Sequence, residues 1–212
     1  MFCRYKDNVY FCISKPTVMK KLISAVILSA LLFTSCANEF NKVYKTNDYA
    51  YKYEYAKECF VKGKYTRAST LLQTLVTMQK GTDNAQESLY MLAMSEYNSK
   101  DYEGAATTFK KYFASYPKGM YAEEAEFYTG MSLYKCTPEP RLDQSQTVNA
   151  IAAFQEYIDL YPDGNKKPEA QQRLFELQDK LVQKELHSAQ LYYDLGQYFG
   201  NCTYGGNNYE AC

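Results

Sequence analysis

Residues 106–117, ATTFKKYFASYP, and residues 152–162, AAFQEYIDLYP, superpose without a gap, and their reading decides the fold. Each holds an aromatic (Phe109, Phe154), a tyrosine three residues on (Tyr112, Tyr157) and a closing proline (Pro117, Pro162). Working outward, a Tyr or Thr stands three residues before an Ala in three places: Tyr65 and Ala68, Tyr102 and Ala105, Thr147 and Ala150. The first copy reads Ala56, Gly63, Tyr65, Ala68, Leu72, Leu75, and the second, 37 residues later, reads Ala93, Tyr102, Ala105, Phe109, Tyr112, Pro117. The third reads Gly130, Thr147, Ala150, Phe154, Tyr157, Pro162. Its first half sits eight residues further back, because the loop CTPEPRLDQSQ (136–146) is inserted. Two prolines and a polar run cannot continue a helix there.

This spacing resembles the tetratricopeptide repeat, in which paired antiparallel helices approach through small residues and a proline closes the unit. The fold class it implies is all-α, a tetratricopeptide-type helical solenoid of antiparallel helix pairs. Ala56, Ala93 and Gly130 on the first helices are expected to face Ala68, Ala105 and Ala150 on the second, with the following aromatic filling the gap to the next repeat. Ala, Leu, Glu, Lys and Gln dominate between breakers, and no long stretch alternates with period two, so strands are not expected. The repeats span about 49–82, 86–119, 123–164 and an incomplete 168–212. In the last of these, Pro168 sits at a first helical turn and Leu174, Leu177, Leu181 and Leu186 follow near helical spacing, as one long helix or two end to end. The tail is glycine-rich, and Tyr209-Glu210-Ala211-Cys212 has the form of another second helix just begun, so the expectation is a C-terminally truncated solenoid.

Composition narrows the function. The 212 residues are 46% hydrophobic and carry 24 basic against 24 acidic side chains, leaving no basic surplus for nucleic acid. A single histidine, His187, precludes a histidine metal cluster and confines any Ser/His/Asp or Cys/His catalysis to one position. No catalytic or metal-binding residue is therefore expected. The run Glu123, Glu124, Glu126 reads as a helix start with a solvated acidic face, Lys110-Lys111 as a helix surface, and His187 as a surface histidine.

Lys20 and Lys21 precede Leu22 to Phe33 (LISAVILSALLF), an apolar run of about 18 Å as helix, too short for a hydrocarbon layer of about 30 Å. It has the form of an export signal at residues 19–35, ending Thr34-Ser35-Cys36. That end resembles the lipobox of bacterial lipoproteins, apart from Phe33 where Leu is usual, and implies diacylglycerol and N-acyl groups on Cys36 with no other cofactor. Residues 1–18 read as an extension upstream of a start at Met19, and 36–48 as a lipidated tether. Without residues 1–35 the chain has 19 basic and 23 acidic residues and is mildly acidic. Cys59, Cys136, Cys202 and Cys212 are scattered and read as small buried thiols; pairing of Cys202 with Cys212 in an oxidising compartment stays open.

Three residues before each first-helix small residue stand Tyr53, Tyr90 and Phe127, and four after it stand Phe60, Tyr97 and Tyr134. Seven residues are two helical turns, so each pair shares a face and the three pairs form an aromatic ladder. Such a ladder suits a groove for extended peptides; repeat packing is the equally weighted alternative.

A lipobox followed by such repeats resembles the BamD-like (ComL-like) family of outer-membrane β-barrel assembly lipoproteins. The resemblance rests on Cys36 near the first repeat, the loop Pro140 to Thr147 (PRLDQSQT), and residues 177–198, LQDKLVQKELHSAQLYYDLGQY, with Lys-Glu followed by Ala-x-x-Tyr-Tyr. It implies a non-enzymatic, lipid-anchored, periplasm-facing outer-membrane subunit. The implied partners are the periplasmic domains of a barrel-forming assembly subunit and peptides of unfolded outer-membrane proteins. Other periplasmic tetratricopeptide adaptors, in envelope or cell-wall coordination, and nutrient-binding lipoproteins are the competing classes.

Overall fold

The computed structural model describes residues 39–78 and 84–195. Cys36, the export signal, the upstream extension, Cys202, Cys212 and the final Tyr209 segment lie outside the described residues. Those described are helical without strands, and they fall into two units, divided between Lys52 and Tyr53.

In the first unit a short helix α1 (residues 39–45) is followed by a turn at 46–48. Asp48 closes that turn by accepting the amide N–H of Tyr51 at 3.0 Å, a helix cap. The Lys52 ammonium donates to the Tyr44 carbonyl at 3.1 Å and lies 5.9 and 5.8 Å from the Tyr44 and Tyr49 ring centres, which offsets the cost of its burial.

The remaining helices are α2 (Tyr49–Val61), α3 (Tyr65–Met78), α4 (Asn84–Asn98), α5 (Tyr102–Ser115), α6 (Ala122–Cys136), α7 (Ser145–Leu160) and α8 (Lys167–Asp194). Three-residue connections join α2 to α3 and α4 to α5, short enough to force each pair into an antiparallel hairpin. Both reversals use the same backbone: Gly63 and Lys100 adopt φ of 70° and 69°, and the next amides, of Lys64 and Asp101, donate back to Cys59 and Glu96. This left-handed helix end favours glycine, which the second copy replaces with lysine. From α3 onward each helix packs on the next, and α6 also touches α8.

The small residues are the contact points. Ala56, Ala68, Ala93, Ala105 and Ala150 are fully buried. At Gly130 a Cβ would come within 2.8 Å of the Phe154 ring, so only glycine lets α7 close on α6. Phe109 and Phe154, the aromatics that follow the alanines, have no exposed surface. Phe127, Met131, Phe154, Tyr157, Ala170 and Leu177 join α6, α7 and α8 in one core.

Two readings of the C-terminal part are settled here. α8 is one continuous helix of 28 residues, with Pro168 in its first turn where no backbone N–H is lost. The acidic start of α6 is not wholly solvated: Glu126 is buried, and Glu123 and Glu124 accept tyrosine hydroxyls. Helical geometry places Glu126 one residue from Phe127 and four from Ala122, on the packed side, whatever its charge.

A candidate peptide-binding face and the loop against helix α8

The ladder tyrosines serve first as links between repeats. The Tyr53 hydroxyl on α2 donates to Glu87 of α4 at 2.6 Å, and the Tyr90 hydroxyl on α4 donates to Glu124 of α6, both pairs 34 residues apart. Burial first, and the facing carboxylate second, push both phenols well above their ordinary range, so they remain donors. Lys57 sits 3.2 Å from Glu87 and 5.1 Å from the Tyr53 ring centre, completing the first link. In the third copy Phe127 has no hydroxyl, and the Lys166 ammonium lies 5.6 Å from its ring centre.

A second series runs within hairpins. The Gln86 side-chain N–H and the Tyr121 amide donate to the Tyr112 hydroxyl at 2.6 and 3.2 Å. One repeat on, the Tyr157 hydroxyl donates to Glu123 at 3.0 Å.

The six ladder residues therefore divide. Tyr53 and Phe127 are 4% and 2% exposed and belong to the core, which removes them from any open surface. Phe60, Tyr90, Tyr97 and Tyr134 are half-buried. Phe60 meets Tyr65, and Tyr97 meets Tyr102, edge to face with centroids 5.8 and 5.5 Å apart. Tyr90 stacks flat on Tyr121 at 4.2 Å. The Tyr134 hydroxyl donates to Glu176 of α8 at 2.7 Å, Arg173 lies 5.3 Å from its ring centre, and Arg173 also bonds Glu176 at 2.9 Å. The bond to Glu176 is the largest cause of the raised Tyr134 phenol, with burial second. Of the partners, Glu124 reads from the sequence only as part of a solvated acidic helix start, and Glu87 and Glu176 are not singled out there. For the first two a signal existed, since Gln86-Glu87 and Glu123-Glu124 stand 37 residues apart like the repeat itself.

The inserted loop is fastened from within and from α8. Gln144, buried, donates to the carbonyls of Glu139 and Leu142 at 2.7 and 3.1 Å and accepts from Thr147 at 2.6 Å. From α8, Lys180 donates to the Thr137 hydroxyl at 2.5 Å and Lys184 to the Leu142 carbonyl at 2.8 Å. A cleft of about 380 Å³ lies where they meet, lined by Arg141, Lys184, His187, Ser188, Leu191 and Asp194 among others. PRLDQSQT and the Lys-Glu-x-x-x-Ala stretch, some 40 residues apart in the chain, thus form one structural joint. His187 is exposed, and no His/Cys/Asp/Glu group able to hold a metal occurs among the described residues. Cys59 is buried and Cys136 half-buried, both as free thiols whose ionisation burial opposes.

Residues 45–202 match the YfiO family, described as outer membrane lipoprotein, and the match takes in all seven helices α2–α8 with the loop. The chain belongs to this family. Two relatives bear the name BamD. One, provisionally named outer membrane protein assembly factor BamD in Aquifex aeolicus (strain VF5), is 30% identical over 190 residues, covering 83% of this chain and 58% of the relative. Another, outer membrane protein assembly factor BamD of Caulobacter vibrioides (strain ATCC 19089 / CIP 103742 / CB 15), is 20% identical over 176 residues, 82% of this chain and 58% of the relative. The chain thus spans less than two thirds of the length of either. The resemblance carried by the loop and α8 is borne out by this YfiO membership. No described helix is long and apolar enough to cross a membrane.

Proposed function

We propose that this chain is a non-enzymatic outer-membrane lipoprotein of the β-barrel assembly machinery, a scaffold that receives unfolded outer-membrane proteins for insertion. The observation that carries this reading is the 30% identity over 190 residues with the Aquifex relative named as an assembly factor. In this reading Cys36 carries diacylglycerol and N-acyl groups that hold the chain at the periplasmic face of the outer membrane. Its partners are the periplasmic domains of the barrel-forming subunit and unfolded outer-membrane protein peptides. Such peptides would lie along the half-buried edges of Phe60, Tyr90, Tyr97 and Tyr134, whose rings are fixed by neighbours and so lose little entropy on binding.

The test is crosslinking in cell envelopes with the tagged, acylated protein, followed by mass spectrometry of what is captured. A large β-barrel protein with periplasmic repeats is expected. Capture of peptidoglycan enzymes or a nutrient transporter, with no assembly barrel, would overturn the assignment. Joint Tyr97→Ala and Tyr134→Ala substitution should weaken peptide binding more than it lowers helicity; equal loss of both would make these rings packing residues only.

A further inference from the structure

Among the described residues, two buried side-chain atoms lack a hydrogen-bond partner: Oε2 of Glu96 and Nε of Arg173. A buried polar atom left unpaired is costly, so each asks for a reason. For Glu96, burial favours the neutral acid, which lowers the cost. Arg173 has no such release, because a guanidinium stays charged.

The Arg173 guanidinium is held along one side only. Nη1 donates to both Glu176 oxygens, at 3.0 and 2.9 Å, and the group sits over the Tyr134 ring, 5.3 Å from its centre. Glu176 also accepts the Tyr134 hydroxyl at 2.7 Å and Gln172 at 3.1 Å, so its place does not depend on the arginine alone. The other edge of the guanidinium, Nε with Nη2, is a fork of two parallel donors. Nη2 has Glu169 Oε1 at 3.9 Å, too long for a hydrogen bond, and Nε has no acceptor. Glu169 stands one helical turn before Arg173 with its side chain 40% exposed, so it can swing into water and let another acceptor reach the fork.

Arg173 also acts across the first helices. Burial first, then Tyr128 and Tyr102, raise the Tyr97 phenol on α4; Glu169 adds to the rise and Arg173 opposes it, so both α8 side chains lie within electrostatic reach of that ring. We propose that the Nε and Nη2 edge of Arg173 takes a main-chain carbonyl of an extended peptide lying along Tyr97 and Tyr134, with Glu169 giving way. This inference rests on the peptide-binding reading above and adds a polar contact to it. The surrounding charge selects the acceptor: one cation stands between two acids, Glu169 and Glu176, so a carboxylate would be repelled and a neutral carbonyl would not. Every residue of an unfolded chain carries such a carbonyl, so the contact is indifferent to sequence, as a receiver of many different chains requires.

The test is calorimetric titration of the full chain, expressed without acylation, with an uncharged peptide of about ten residues. The peptide alternates Tyr or Val with Ser or Thr and is capped by acetyl and amide groups. Arg173→Lys keeps the charge but loses the fork, and should weaken binding at least about fivefold with helicity unchanged by circular dichroism. Glu169→Ala removes the competing acid and should tighten binding about two- to fivefold. Peptides with one amide replaced by an ester carry one weaker carbonyl acceptor. On the native chain one ester position should cost more than the others, and on Arg173→Lys that excess should vanish, a coupling that a purely structural arginine does not produce. Binding that needs Tyr97 and Tyr134 yet ignores both Arg173→Lys and Glu169→Ala overturns this inference and leaves the peptide-binding face standing. A native chain that binds no such peptide overturns both. Binding that appears only when the peptide carries a free carboxylate overturns the carbonyl contact in favour of an anion site.

Discussion

At Gly130 and Lys100 the backbone, more than the side chain, dictates what the position tolerates. A methyl group at Gly130 would press on the Phe154 ring, which has no room to retreat because Phe127 and Tyr157 surround it. Gly130→Ala should therefore cost about 1–3 kcal/mol, the usual penalty for overpacking a core, seen as a lower urea midpoint with an unchanged slope. Lys100 presents the opposite case. It holds a left-handed φ of 69° at a helix end where the preceding repeat has Gly63. Lys100→Gly should raise stability by about 0.5–1 kcal/mol, the strain relieved at such an end less the added freedom of the unfolded chain. Gly130 is visible in the sequence as the small residue of a repeat, but not its energetics, and Lys100 is not singled out there. The Cβ distance to a ring and the sign of φ are properties of packed neighbours.

Between elements, the sequence motif with the most specific form proved to be a joint. The insertion of repeat three could have been a free loop; instead Gln144 satisfies two of its carbonyls, and Lys180 and Lys184 reach it from α8. Lys184→Ala removes a charged donor from the Leu142 carbonyl, an interaction of about 1–2 kcal/mol at a partly exposed site. The expected outcome is faster amide exchange in residues 139–145 and in the C-terminal half of α8, with α2–α5 unaffected. If protection falls uniformly, the joint does not act locally. The aromatic ladder was legible as periodicity and only partly as chemistry. Spacing puts six rings on one face, yet helix packing buries Tyr53 and Phe127 and links Tyr53 of α2 to Glu87 of α4, while Tyr97 and Tyr134 stay half-buried.

For the whole molecule, stability carries the charge of one buried carboxyl. Burial first, and the neighbouring Glu156 second, push Glu126 up to about 7, with Lys110 opposing. Between its ordinary value near 4.5 and about 7 the folded chain binds more protons at this site than the unfolded chain does. Stability contributed here thus falls as pH rises through that window and is level above it. Glu96, buried on α4 with its carboxyl raised by the same cause, adds to the slope. Glu126→Gln should flatten the decline in melting temperature between pH 5 and about 7 and leave the protein more stable at pH 8; an unchanged pH profile would place Glu126 in contact with water. By itself the sequence determined the all-helical repeat, its register and its family, because the 37-residue spacing of small and aromatic residues is a local, periodic signal that needs no partner to be seen. Only the tertiary structure decided that Glu126 is dry, that two ladder rings are core and that the loop is tied to α8. Each of those depends on which helix lies across from which, and burial, hydrogen-bond partners and charge are set by that neighbour rather than by position along the chain.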